Sequence, residues 1–78
     1  MNIILNGSQH TVADGASLTM LVSAVTGRAL AASGQATDGG RLGVAVAHNA
    51  QVVPRSQWFT TALAEGDAVE LVTAVQGG

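Results

Sequence analysis

A chain of 78 residues is enough for one compact domain and not two. With 47% hydrophobic residues, 10% charged residues and a formal net charge of -2, it is neither a disordered charged tail nor a chain with the basic stripe that nucleic acid demands. No apolar run approaches a membrane-spanning length, and Met1-Asn2-Ile3 lacks the basic region and cleavage site of a signal peptide. Cysteine is absent, which excludes a disulfide framework and a thiol nucleophile and makes a cytoplasmic location the expectation.

Asn2 to Leu5 reads as a short β-strand, with two β-branched residues and no breaker. Asn6-Gly7 suits the positive φ values of a tight hairpin turn, so Gln9 to Val12 is the returning strand. Asp14-Gly15 ends it with turn chemistry. Ser17 is an N-cap candidate, after which Leu18, Leu21, Val22 and Val25 recur at i, i+3, i+4 and i+7 and form one apolar helical stripe. Gly27 stands where a helix-ending glycine belongs.

The composition then changes. Ala31 to Arg41 has no large apolar residue and reads as a mobile surface loop, an insertion with little chemistry. Val44 to His48 is a third strand, Asn49-Ala50 a turn, and Gln51 to Val53 a fourth strand ended by Pro54. Arg55 to Leu63 is irregular or a short helical turn, and Ala64 to Asp67 is another turn. Ala68 to Ala74 is the last strand, and Val75-Gln76-Gly77-Gly78 is a tail with nothing after it to pack. The expected organisation is a single domain over residues 1–74 and a flexible tail over 75–78.

The order β-β-α-β-β-β describes an α+β domain in which a mixed sheet of four to five strands packs on one helix. The first and last strands are the most apolar and suit the middle of the sheet. Ile3, Leu5, Val12, Leu18, Leu21, Val22, Val25, Val44, Val46, Leu63, Val69 and Leu71 form the expected core. On the last strand Val69 and Leu71 face the helix, which turns Val72 outward with Ile4 of the neighbouring strand as an exposed apolar patch.

An enzyme site is hard to build from these residues. His10 and His48 lie on different strands with no second ligand at metal-binding spacing, so both read as exposed strand residues and no metal or cofactor is expected. Most of the acids sit in turns, where backbone hydrogen bonding explains them. No serine has the setting of a nucleophile elbow, and Gly39-Gly40 precedes no phosphate-loop signature. Arg55 and Trp58 have two readings: packing of an irregular segment, or docking of a partner. Lysine is absent, the basic residues being Arg28, Arg41 and Arg55. That is either chance or a means of sparing an activated carboxyl end from the chain's own amines.

The C-terminus remains. A carboxylate acylates poorly until transfer to AMP gives it a good leaving group, and to reach an ATP site the chain end must thread a narrow passage. Glycine lets the backbone approach such walls closely. Gly77 and Gly78, preceded by Gln76, fit that task, whereas a frayed end is the plainer alternative.

Val46-Ala47-His48-Asn49, the run Val52-Val53-Pro54-Arg55-Ser56-Gln57-Trp58, Leu63-Ala64-Glu65-Gly66-Asp67, Val69-Glu70-Leu71-Val72 and Ala74-Val75-Gln76-Gly77-Gly78 together resemble the ThiS family, the sulfur carriers of thiamine biosynthesis. Asn6-Gly7, Asp14-Gly15 and the Leu18-Leu21-Val22 helix agree; the Ala31–Arg41 loop is a departure. The resemblance implies a ubiquitin-like β-grasp fold and a protein that is not itself an enzyme. It implies that the Gly78 carboxylate is adenylated by a ThiF-type adenylyltransferase using ATP. Sulfur from a desulfurase system then gives a thiocarboxylate, which thiazole synthase consumes. A molybdopterin-type carrier has the same fold and tail, but that family usually has prolines shortly before its Gly-Gly, and Thr73-Ala74-Val75-Gln76 has none. A β-grasp interaction module is the third possibility.

Overall fold

The computed structural model describes residues 1–31, 33–39 and 43–73, the last by its backbone alone. The first strand, β1 (Asn2–Leu5), turns through Asn6 and Gly7 into β2 (Ser8–Thr11). Both turn residues have positive φ, 50° and 81°, the geometry whose twist matches that of the flanking strands. A two-residue turn places Ser8 opposite Leu5, so β2 starts one residue earlier than the apolar pattern suggests, and Val12 follows the strand.

The helix α1 (Leu18–Thr26) is capped as its sequence dictates. Ser17 accepts a hydrogen bond from the Met20 N–H, and Gly27 ends the helix at φ 71°, donating to the Ser23 carbonyl. Leu18, Thr19, Leu21 and Val22 are buried, but Val25 is 44% exposed. The expected stripe is therefore one residue too long: no residue of the helix's last turn belongs to the core.

After the loop come β3 (Val44–His48), the short β4 (Gln51–Val52), a 3₁₀ turn (Arg55–Gln57) and β5 (Ala68–Thr73). The five strands form one mixed sheet in the order β2-β1-β5-β3-β4. β5 runs parallel to β1 and antiparallel to β3, so the two most apolar strands do lie inside the sheet. The helix, Ala16, Leu63 and Trp58 cover one face against Ile3, Val46, Val69 and Leu71. Leu5, Val12 and Val44 are partly buried at its margin.

The loop after the helix is not the plain surface excursion its composition suggests. Leu30 and Ala36 pair across it, the Ala31 N–H donates to the Gln35 carbonyl at 2.8 Å, and Ala36 is buried. Small residues permit this: Gly34, at φ +84°, lies so close to Arg55 that a Cβ there would overlap the arginine's side chain and carbonyl. Backbone pairing, not apolar side chains, organises this stretch. Residues 32 and 40–42 of the loop lie outside the described part.

Candidate functional site

Among the described residues, the helix covers one face of the sheet and leaves the other bare. Side chains alternate along a strand, so the residues between the core positions point the other way. Ile4, Ala68, Glu70, Val72, Ala45, Ala47 and Val52 share that second face. Ile4 is 40% exposed and Val72 61%, as their outward register requires. They do not touch as one patch, however. Ile4 is level with Ala68, and Val72 lies four residues further along β5, roughly 13 Å away at about 3.3 Å per residue. The immediate neighbour of Val72 is Ala45, and Glu70 with Ala47 separates it from Ile4. The bare face is thus small-residue and apolar toward the end of β5, with one carboxylate in its middle.

The end of β5 is held firmly. Asn6 does more than turn the first hairpin. Its backbone N–H donates to the Val69 carbonyl at 2.9 Å; its side-chain oxygen accepts from the Leu71 N–H at 2.8 Å and its amide donates to the Leu71 carbonyl at 3.2 Å. An amide side chain thereby continues the pairing of β5 past the point where β1 stops. On the other flank Thr73 pairs with Val44.

Arg55 stands beside that same end. Its Nη2 donates to the Val44 carbonyl at 3.5 Å and its guanidinium lies 5.5 Å from the centroid of the Trp58 ring. Trp58 itself is only 1% exposed, and its indole N–H donates to the Val53 carbonyl at 3.0 Å. Of the two readings for this pair, packing therefore holds for Trp58, whose ring is not available as a docking surface. It serves instead as the platform on which Arg55 rests. Gln76, Gly77 and Gly78, the tail that carries the expected chemistry, lie outside the described residues.

At the opposite end of β5 a polar knot joins two turns. His48 Nε2 lies 2.7 Å from Asp67 Oδ2, the Asn49 amide donates to Asp67 Oδ1 at 3.2 Å, and Asp67 also accepts the Ala64 N–H at 2.8 Å. Asn49 accepts in turn from the Ala68 N–H at 2.9 Å. The His48 hydrogen bond, helped by the Ala64 and Asn49 donors against the opposing effect of burial, holds the Asp67 carboxyl below its ordinary value. Composition and spacing gave no hint of this pair, because His48 and Asp67 are distant in sequence and meet only when β3 lies against β5. His48 is accordingly half-buried and paired, not a free strand residue. His10, on β2 opposite Ile3, makes no such carboxylate pair among the described residues.

Among the described residues no cluster of three histidines or acids could hold a metal ion, and no helix is long and apolar enough to cross a membrane. Among the described residues, the domain offers a central strand paired on both flanks, with an exposed apolar side and the Arg55 guanidinium near its end.

The ThiS family model matches residues 3–78 of this chain. Two solved structures of a thiamine biosynthesis protein, ThiS, from Geobacter metallireducens are similar to it at 31% identity over 100% of its length. The crystal structure superposes with a TM-score of 0.69 and is covered over 100% of its own chain. The solution structure superposes at 0.70 and is covered over 88%. No curated protein matches the chain.

Proposed function

This chain belongs to the ThiS family, and from that premise we propose that it is a sulfur carrier of thiamine biosynthesis whose working group is the Gly78 carboxylate. The observation that carries the reading is the extent of the match: it runs to residue 78 and so takes in Gly77-Gly78 as well as the domain. The β-grasp domain supplies no catalytic group of its own in this reading. A ThiF-type adenylyltransferase transfers AMP from ATP to Gly78, forming a mixed anhydride and releasing pyrophosphate. A sulfur-donor desulfurase system supplies sulfur as a persulfide, whose terminal sulfur bonds to the acyl carbon as AMP leaves, and a thiol then reduces the resulting acyl disulfide to leave a thiocarboxylate. Thiazole synthase takes that sulfur, and the carrier returns as the carboxylate.

The residues of this chain then divide the labour. Gly78 provides the reacting carbonyl carbon; Gly77 and Gln76 provide passage and reach. Asn6 bonds to Leu71 on one side of β5 and Val44 pairs with Thr73 on the other, so the last described residues of β5 are held on both flanks. Val72, Ile4 and Arg55 are the proposed partner contacts. Their separation suggests that Val72 and Arg55 serve the end near the tail, and Ile4 a second and more distant contact.

Incubation with the cognate adenylyltransferase, ATP and a sulfur donor tests this directly. Intact-mass measurement should show replacement of one oxygen by one sulfur, and a Gly78 deletion should show none. A chain that stays at its starting mass would overturn the carrier reading. Deletion of the coding region should create a requirement for thiamine; a molybdenum-cofactor defect in its place would transfer the protein to the molybdopterin pathway.

A further inference from the structure

We propose that Asn6 is a modification site: a spontaneous deamidation site that the fold guards through Leu71, and whose conversion undoes the bond pair that guards it.

The sequence narrows the choice to one residue. Asn2, Asn6 and Asn49 are followed by Ile3, Gly7 and Ala50. Deamidation begins when the backbone nitrogen of the following residue reaches the carbonyl carbon of the asparagine side chain. A Cβ on that residue crowds the approach, and glycine has none. Gly7 is exposed at φ +81°, with nothing within 4 Å of where a Cβ would stand. Its N–H donates to no acceptor among the described residues. The attacking nitrogen is therefore unencumbered, and water reaches the turn.

The side-chain amide is what the fold withholds. Asn6 Oδ1 accepts from the Leu71 N–H at 2.8 Å, and Nδ2 donates to the Leu71 carbonyl at 3.2 Å. The Asn6 backbone N–H adds a bond to the Val69 carbonyl at 2.9 Å. Attack needs the nitrogen above the plane of the amide. The side chain cannot rotate to offer that face while both of its polar atoms are bonded to β5. Conversion in the folded chain therefore waits for local opening of the turn.

The step balances with water as the only co-reactant. The Gly7 nitrogen bonds to Asn6 Cγ, the Cγ–Nδ2 bond breaks, and ammonia leaves with the electron pair and the Gly7 proton. Water then opens the resulting five-membered imide at either carbonyl, adding hydroxyl to the carbon and a proton to the released group. The products are aspartate and isoaspartate. In the first, a carboxylate oxygen replaces the Nδ2 donor and meets the Leu71 carbonyl acceptor to acceptor, which leaves that carbonyl unsatisfied. In the second, the main chain gains a carbon inside a two-residue turn that pairs Leu5 with Ser8, and the pairing cannot be kept. Either product opens more readily than the parent. The converted fraction thus records how long the turn has spent open.

Asn49 is a built-in control. It also sits in a tight turn at positive φ, with its side chain bonded to Asp67 and Ala68, but the next residue, Ala50, carries a Cβ.

The test incubates the full chain in mildly alkaline buffer, folded in one arm and unfolded in guanidinium chloride in the other. Peptide mapping by mass locates each asparagine that has become acid. Asn6 should convert first in the unfolded arm, and at least about tenfold more slowly in the folded one. Conversion of Asn2 or Asn49 ahead of Asn6, or none at Asn6, overturns the site. Equal rates in the two arms overturn the guard. The converted chain, separated by charge, is then titrated with urea beside parent carried through the same treatment. Its midpoint should be lower, and an equal midpoint overturns the consequence. Asn6→Gly keeps a residue suited to positive φ and removes the amide. In it the Leu71 N–H should exchange with deuterium at least about tenfold faster than in the parent. Unchanged exchange would show that the side chain does not hold β5, and would overturn the proposal at its base.

Discussion

The two faces of the sheet come from the same strands and have opposite fates. Val69 and Val72 both belong to β5, yet Val69 is 1% exposed and Val72 61%. Ile3 and Ile4 are consecutive in β1, yet Ile3 is fully buried and Ile4 is not. Residue type does not separate the members of these pairs; strand alternation does. The covered face specifies the fold, because a register slip of one residue would exchange the two sets and expose the core. The bare face has no such duty, so its apolar residues are free to serve recognition.

The strongest way to break this division is at Trp58. It is the largest fully buried side chain, and it also carries Arg55. Trp58→Ala should destabilise by about 3–5 kcal/mol, through lost burial and the cavity left behind. A domain this small holds roughly 4–12 kcal/mol in total, so the variant should unfold at a much lower denaturant midpoint. An unchanged midpoint would mean that the ring is not a core residue. The next effect belongs to Val69→Ala, expected to cost about 2 kcal/mol by urea titration, since it strips methyl groups from the centre of the same face.

A smaller effect is confined to acid. The folded-state pKa of Asp67 is lowered, so the carboxylate form is favoured by folding. Its contribution is complete above the ordinary carboxylate range and is lost as pH falls through the lowered value. Stability of the parent should therefore drop as pH falls below about 4, the ordinary carboxylate range. Asp67→Asn should start lower at neutral pH and lose less over that interval. Parallel pH profiles for the two chains would show that the knot with His48 and Asn49 contributes nothing.

Much of this architecture is legible in the chain. Asn6-Gly7, Ser17 and Gly27 each perform the backbone task their chemistry suits, and the period-two pattern of β5 predicts which side chains turn outward. Three things are not legible. The Asn6 side chain bonds to Leu71, and His48 bonds to Asp67, only because the sheet order brings distant segments together. The stretch after the helix has order that composition hides, since it rests on backbone hydrogen bonds and on the absence of a Cβ at Gly34. The reach of the apolar stripe at Val25 depends on where the core ends, which helical period alone does not encode.

The smallest stability effect carries the most information about the bare face. Val72 sits on the outer side of the central strand, next to Ala45 and just before the root of the tail. A surface position of this kind changes stability by no more than about 0.5 kcal/mol when substituted. Val72→Ser should therefore leave the urea midpoint where it is. If the face docks partners, the same change should weaken binding to the adenylyltransferase, and titration calorimetry of the parent and variant would show it. Ile4→Ser, roughly 13 Å away along the strands, should be additive with it, because residues that far apart with no shared partner act independently. A loss of stability at Val72 equal to that at Val69 would erase the distinction between the faces. Unchanged stability with unchanged binding would move the docking surface elsewhere, leaving the apolar flank of β5 as ordinary exposed valine.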